Sequence, residues 1–451
     1  MRLNVFIEQT LVGVLEHEPQ TNRFAFTYAP SWLGSPDRFA LCPALALLCP
    51  KGETPDSHSA AVRRFFENLL PEGHALDDAA AANKVSKANL VGLLVALGRE
   101  TAGALRIHST DVTEAASPGA PEADAHPVRR MLTRGELSQR IRARPHLPFV
   151  VWDGKVRLSI AGYQDKIAVY TEQGQWFLVE GVSLASTHIL KPEPVSDRLA
   201  GLTSNEFLCM RLARRIGLPA AEVELAQVPE PVLVVTRFDR RVEGNVVRRL
   251  HVIDACQALG LASALKYERP YGDSRDVRHI RDGASMPRIF ELLAMSPNPA
   301  AQRLRLLRWL VFQVLIGNTD AHAKNLTFFA GIEGLSIAPA YDLVSVLALE
   351  AAPLESTYAM AVGDAFSTDE LSAFEWANFA KACRLAQRLV SNELSRLAQQ
   401  TLNVLPEVEQ EVLADGALPA PVHAACEVIR TQATRQALIA GKVAKVPKDM
   451  L

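Results

Sequence analysis

The sequence lacks most of the features that would take it out of the ordinary globular class. Its six cysteines, Cys42, Cys49, Cys209, Cys256, Cys383 and Cys426, are scattered and form no CxxC pair. That spacing supplies neither a zinc site nor a disulfide framework, and reduced, mostly buried thiols fit a cytosolic chain. Charge of one sign is lacking too: 48 basic residues stand against 50 acidic ones, a formal net charge of −2. A chain so balanced is no polyelectrolyte for nucleic acid. Arginines do gather at 237–241 with Arg248 and Arg249, and again at 303–308. Each cluster reads as a solvated face or loop, with a basic patch for a phosphate or an acidic partner as the sharper alternative. No apolar run is long enough for a membrane. The most apolar stretch, 304–316, contains Arg305, Arg308 and Gln313, whereas a span needs roughly 20 apolar residues. The opening residues alternate and then meet Glu8, which reads as a strand and not as a signal peptide. There is no internal repeat and no GxxxxGK[ST] phosphate loop.

What is present divides by composition. At 451 residues the chain is too long for one compact core and suits two or three domains. Residues 1–108 carry strand patterns at 3–8, 11–16 and 24–28 and helical patterns at 60–69 and 88–97, a small α+β unit. Residues 109–127, rich in Ala, Pro, Ser and acids, read as a linker or surface loop. The region 128–240 holds strand patterns at 149–152, 155–158, 167–170, 176–179 and 188–191, and ends in an apolar strand, VLVVTRFD. Helices are expected at 204–216 and 303–316, stopped by Gly217 and Gly317. A hairpin is expected around Gly331 and Gly334, and beyond residue 367 the pattern is nearly all helical.

The strongest chemical constellation is Asn318-Thr-Asp-Ala-His-Ala-Lys-Asn325, followed by Tyr341-Asp342. Phosphoryl transfer needs a carboxylate to take the nucleophile's proton and oxygen ligands for magnesium. Asp320 and Asn325 have the D-x4-N spacing of a kinase catalytic loop, and Asp342 stands where a second metal-holding acid follows. D-x4-N alone is equally a polar turn, and His322, with no second histidine nearby, reads as a loop-fixing residue. Three further elements are weak singly. The segment from Ser159 to Lys166 lies between strands and contains Gly162, so its backbone N–H groups suit phosphate oxygens, although alone it is a β-hairpin. Lys191 closes a strand, and Glu206 in a helix's first turn is its candidate partner. Thr236, Arg237 and Phe238 follow a strand as a hinge does. A strand-rich lobe, a short linking strand and a helical lobe succeed one another in the order of a two-lobed kinase.

Taken together, these segments resemble the HipA family of serine/threonine kinases, over nearly the whole chain. The residues that carry the likeness are SIAGYQDK at 159–166, ILKP at 189–192, Asn205-Glu206, RFDRR at 237–241, Asp254 with Gln257, KYE at 266–268, TDAHAKN at 319–325 and Tyr341-Asp342. In the first 108 residues they are Val12-Gly13, Trp32-Leu33, FENLLPEG at 66–73 and Gly103-Ala-Leu105. The resemblance implies an α+β, two-lobed kinase-like fold with a small N-terminal α+β subdomain (1–108), a small lobe (128–240) and a large, all-helical C-terminal lobe (241–451). It implies ATP and Mg2+ as cofactors. Ala161, Gly162, Tyr163, Gln164, Asp165 and Lys166 would form the phosphate loop, Lys191 would contact phosphates, and Thr236, Arg237 and Phe238 would be the hinge. Asp320 would be the base, His322, Ala323, Lys324 and Asn325 would touch nucleotide, and Tyr341-Asp342 would complete the site, with Asn325 and Asp342 on the metal. Ser159 would be autophosphorylated, which ejects the loop and shuts the enzyme off. The implied partners are a small helix-turn-helix antitoxin, operator DNA through that complex, and a protein substrate, an aminoacyl-tRNA synthetase. Thr236, where relatives can carry an acid, and residues 40–45 depart from the pattern. The competing reading is a small-molecule kinase of the aminoglycoside or lipid type.

Overall fold

The computed structural model describes residues 1–48, 50–109, 127–156, 164–349 and 357–451. Alternating apolar residues build the first sheet from β1 (Arg2–Ile7), β2 (Thr10–Glu18), β3 (Arg23–Tyr28) and β4 (Leu105–Ser109), antiparallel in the order β3-β2-β1-β4. Leu3, Val5, Val12, Leu15, Phe24 and Phe26 face inward from it. Gly13 is needed there, since a Cβ would stand 2.5 Å from the Thr27 carbonyl oxygen. Helix α1 (Pro55–Glu67) opens on a capping box in which Thr54 and Ser57 satisfy each other's backbone N–H. Helix α2 (Gly73–Ala82), which periodicity did not reveal, and α3 (Leu90–Leu97) complete this unit.

A second, six-stranded antiparallel sheet comprises β5 (Val128–Leu132), β6 (Ile167–Glu172), β7 (Gln175–Glu180), β8 (His188–Pro192), β9 (Val223–Gln227) and β10 (Pro231–Thr236), in the order β9-β10-β8-β6-β7-β5. Helix α4 (Arg134–Ala143) follows β5, and α5 (Leu202–Arg215) packs beside β9 and β10. The strands expected at 149–158 are only a short hairpin, Val151–Trp152 with Lys155–Val156.

The remainder is rich in helix but not all-helical, which corrects the sequence expectation. It carries a sheet of β11 (Val252–Asp254), β12 (Thr327–Gly331) and β13 (Gly334–Ile337), and a hairpin of Thr357–Val362 with Ala365–Ser367. The physical reason is local. Thr327 and Phe328 begin an extended, largely buried run that turns at Gly334, φ 93°, before Ile337 returns to the core. Helices α6 (Pro299–Leu315), α7 (Ala373–Ala382), α8 (Gln387–Ala414) and α9 (Pro419–Val443) supply the bulk of the lobe. Gly217 and Gly317 take the left-handed conformation, φ 79° and 65°, just past α5 and α6 as expected. No helix among the described residues is long and apolar enough to cross a membrane.

One buried ion cluster joins the first unit to the second sheet, and it corrects the reading of the arginines. Arg237, Arg240 and Arg249 are buried, not solvated. Arg237 meets both oxygens of Asp239, and Arg240 meets Oδ2 at 2.8 Å. Glu100 accepts from Arg237 at 3.2 Å, Arg240 at 3.3 Å and Arg249 at 3.1 Å, and from the Ser186 hydroxyl at 2.7 Å. The Gly103 N–H donates to Asp239 and its carbonyl accepts from Arg240. In the second cluster Arg303 holds the Phe290 carbonyl and Arg308 pairs with Glu393. Local sequence could not disclose partners that lie 137 residues away.

Burial would raise the Glu100 carboxyl, but Arg249, Arg240 and Arg237 outweigh it and hold the group at about 2. Glu100→Ala therefore leaves buried guanidinium groups short of a counter-charge and should cost roughly 3–5 kcal/mol of stability in denaturant unfolding. A depressed carboxyl stabilises above its unfolded pKa and loses that contribution as pH falls through the folded one. The wild type's advantage over Glu100→Ala should thus be full at pH 7 and vanish on acidification towards about pH 2.

Candidate active site

Lys191 sits in the middle of the second sheet, paired across β8 and β10 with Leu233. Its side chain is 8% exposed, and its ammonium lies 2.7 Å from Glu206 Oε1 and 2.7 Å from Asp342 Oδ1. Glu206, in α5, is the partner that its first-turn position suggested. Burial alone would lower Lys191, but Asp342 and Glu206 more than reverse this and keep it charged. Glu206 is 1% exposed, and burial raises its carboxyl in spite of the ammonium beside it. Asp342 is 37% exposed and held at about 2, because Lys191 and Lys166 outweigh its desolvation.

Asp342 adopts a left-handed backbone, φ 55°, which few non-glycine residues tolerate. Its neighbours fix it there. Tyr341 donates its hydroxyl to the Lys324 carbonyl at 2.6 Å and shares a hydrogen bond with Thr327 at 2.8 Å. Leu343 is fully buried, and the Ser345 N–H and carbonyl are both bound by the Asn205 amide, at 2.8 and 3.0 Å. Asn205 and Glu206, adjacent in α5, thus hold the two sides of Asp342.

The loop after α6 is built by short-range bonds. Asn318 Nδ2 donates to Gln313 and its Oδ1 accepts from the Asp320 N–H at 3.1 Å. The His322 N–H and Asn325 Nδ2 both donate to the Asp320 carbonyl, at 2.8 and 3.1 Å. Spending its amide nitrogen this way leaves Asn325 Oδ1 as the atom suited to a cation. A single tight turn, Ala323–Asn325, then leads into β12. Asp320 accepts a hydrogen bond from the Tyr267 hydroxyl at 2.7 Å, and Tyr267 also meets His322 edge-on at 5.2 Å. His322 is buried, which lowers its pKa and favours the neutral ring, and its Nδ1 has no hydrogen-bond partner among the described residues. Lys324 turns away from a phosphate role: its ammonium is buried between Asp254 at 2.8 Å and Asn68 at 3.0 Å.

The phosphate-loop and hinge expectations fare unevenly. Ser159, Ala161, Gly162 and Tyr163 lie outside the described residues. Gln164 donates to the Pro192 carbonyl at 3.1 Å, Asp165 pairs with Arg144 at 3.4 Å, and Lys166 is buried at the start of β6. At the hinge, the N–H groups of Thr236 and Arg237 are committed to the carbonyls of Glu222 and Thr187. The Arg237 side chain belongs to the ion cluster and not to the cleft. Phe238 stacks obliquely on Tyr341 at 5.6 Å and meets Phe329 edge-on. Tyr267 and Asn205 were quoted for the resemblance but given no role, and nothing local signals one.

A lysine shared by a helix glutamate and a second carboxylate, beside a loop with aspartate and asparagine in D-x4-N spacing, defines a protein-kinase-like site. Family models agree: the HipA N-terminal domain matches residues 3–108, and the HipA-like C-terminal domain matches residues 158–405. The chain is 36% identical over 414 residues to the serine/threonine-protein kinase toxin HipA of Shewanella oneidensis, covering 90% of this chain and 89% of that one. A solved structure of HipA from the same organism, in complex with HipB and its operator DNA, superposes with a TM-score of 0.84 at 32% identity and covers 99% of this chain and 100% of that one. The chain belongs to the HipA family of serine/threonine-protein kinases.

Removing only one member of the buried charge set should expose its cost. Lys191→Met leaves Glu206 facing Asp342 with no cation between them, and should lower unfolding stability by roughly 3–5 kcal/mol. Lys191→Met with Glu206→Leu removes charge and counter-charge together and should recover most of that loss in guanidinium titrations.

Proposed function

We propose that the protein is the toxin kinase of a toxin–antitoxin pair, which uses Mg-ATP to phosphorylate a serine of a translation protein. The observation that carries this is the Lys191 ammonium bridging Glu206 and Asp342, with Asp320 on the neighbouring loop. On this reading residues 1–108 are the N-terminal subdomain, 109–127 a linker, 128–240 the small lobe and 241–451 the large lobe. Lys166 and Lys191 would meet nucleotide phosphates, as would the backbone of residues 161–165. Phe238 and the carbonyls near Thr236 would meet adenine, and His322 Nδ1 offers an unused polar atom to nucleotide or substrate.

The donor set fits the cation: a carboxylate oxygen of Asp342, kept ionised, and an amide oxygen of Asn325 are the hard ligands that magnesium takes alongside phosphate oxygens. Magnesium so held neutralises charge on the phosphates. Asp320 would accept the proton of the substrate serine as its oxygen bonds the transferred phosphorus and the bond to ADP breaks. Tyr267 would keep that carboxylate aimed. Ser159, matched by the family's self-modified serine, would take phosphate itself and close down the enzyme. By the same likeness a helix-turn-helix antitoxin would bind the kinase, and the pair would bind operator DNA in the cytoplasm. The substrate we favour is an aminoacyl-tRNA synthetase, because near-neutral charge suits a protein target better than RNA.

Incubation of the pure enzyme with radiolabelled ATP and a host lysate tests the whole reading. A labelled synthetase band and phosphate on Ser159 are expected, and Asp320→Asn should lower transfer by roughly 10²–10⁴-fold while nucleotide still binds. Label on an antibiotic or a lipid, and on no protein but the enzyme, would point to a small-molecule kinase instead. Wild-type turnover in Asp320→Asn would remove the base assignment.

Burial, reinforced by the Lys191 charge, lowers Lys166 to about 8. Phosphates in the complex would hold its ammonium and raise that value. Nucleotide affinity should then be flat below about pH 8 and fall by up to about tenfold per unit above it. Calorimetry with ADP should record proton uptake at pH 9, and Lys166→Gln should abolish both the uptake and the slope.

A further inference from the structure

The first 108 residues reach the catalytic loop by two routes. In the first, the buried ammonium of Lys324 is held by the Asn68 carbonyl at 3.1 Å and the Asn68 Oδ1 at 3.0 Å, with Asp254 completing the set. In the second, Glu72 accepts from the Lys266 ammonium at 2.8 Å and from the Ser263 hydroxyl at 2.5 Å. The Lys266 carbonyl accepts the Ala323 N–H at 3.1 Å, and the next residue, Tyr267, donates to Asp320. The two segments are also stitched along their length. Gln257 donates to the Phe65 carbonyl, Arg64 to that of Gly260, and Asn68 to that of Leu261, at 3.1, 2.9 and 2.9 Å.

Two lysines and a carboxylate are an odd choice for simple adhesion, since burying charge gains little over an apolar contact of the same shape. They do have direction. Each ends on the short stretch that carries Asp320 and Asn325: Lys324 lies within it, and Lys266 is bonded to it and joined to the residue that holds Asp320. An apolar patch would bind the same surfaces without fixing the loop's position along them.

We propose that Asn68 and Glu72 are positioning residues for phosphoryl transfer. The N-terminal domain clamps the catalytic loop through Lys324 and Lys266, and Tyr267 passes the constraint to the carboxylate. This rests on Asp320 being the base. A misplacement of about 1 Å can lower a rate about 10²-fold, so the clamp acts on kcat and leaves nucleotide binding alone.

Full-length enzyme carrying Glu72→Gln, Asn68→Ala or Tyr267→Phe decides the matter. Each should lower kcat by roughly 10–100-fold, with KM for ATP and affinity for ADP within about twofold of wild type. Glu72→Asp should restore most of the rate, and amide hydrogen exchange across residues 319–325 should quicken in Glu72→Gln and Asn68→Ala. Should Asn68→Ala fail to fold, Tyr267→Phe, which deletes one oxygen, carries the test. Wild-type kcat in Glu72→Gln and Tyr267→Phe overturns the clamp, and so does an ADP affinity that falls in step with kcat. Asp320→Asn serves as the reference. If it is inactive while Glu72→Gln is normal, only the clamp fails; if it is fully active, the base assignment fails and takes the clamp with it.

Discussion

A charged ammonium taken out of water is tolerated only where opposite charge meets it. Lys191 imposes that condition on three parts of the chain at once. It belongs to a central strand of the second sheet, Glu206 to the helix that packs beside that sheet, and Asp342 to the segment after the β12–β13 hairpin. None of the three charges is stable where it stands unless the other two elements are in place. The strained backbone of Asp342 follows from the same demand: a left-handed residue costs of order 1–3 kcal/mol, and it is pinned by Tyr341 on one side and by Asn205 through Ser345 on the other. Sheet, helix and loop are therefore positioned by one shared charge, and the cleft between them inherits that position.

What the sequence disclosed follows the range of the forces involved. Alternation is a local property, and the strands of both sheets were legible from it. So were the ends of α5 and α6, since Gly217 and Gly317 mark left-handed caps. The Lys191–Glu206 pair was also within reach, because a strand-end lysine and a first-turn glutamate are recognisable types. Helix α2 was missed: its Ala-rich run has little apolar period, and it begins without a side-chain cap. The arginines at 237–249 were misread as solvated for a different reason. Their acid, Glu100, lies in another unit of the chain, and no window over the arginines contains it. Tyr267 and Asp320 are 53 residues apart, and Asn68 and Lys324 are 256 apart; nothing in either neighbourhood signals the other.

The quoted stretches gain meaning when taken in pairs. Gly103-Ala-Leu105 and the RFDRR segment are two sides of one buried ion cluster, with the Gly103 N–H and carbonyl inside it. Gly103 has φ 77°, and a Cβ there would stand 3.0 Å from the Val252 backbone, so a larger residue would hold the two sides apart. FENLLPEG likewise answers KYE and TDAHAKN through Asn68 and Glu72. Stretches that look like separate motifs along the chain are contacts in the fold.

These two contacts have a joint mechanical consequence. Glu100 ties the first unit to Arg237, Arg249 and Ser186, which belong to the six-stranded sheet and its flanks. Asn68 and Glu72 tie the same unit to Lys324 and Lys266, beside the catalytic loop. The N-terminal domain thus spans both walls of the cleft. Hinge opening about Thr236 would have to break one of these buried charge sets, at roughly 3–5 kcal/mol, before any other resistance is met. A kinase strapped in this way keeps its lobes in register between turnovers, and exchange of nucleotide falls to elements outside the strap.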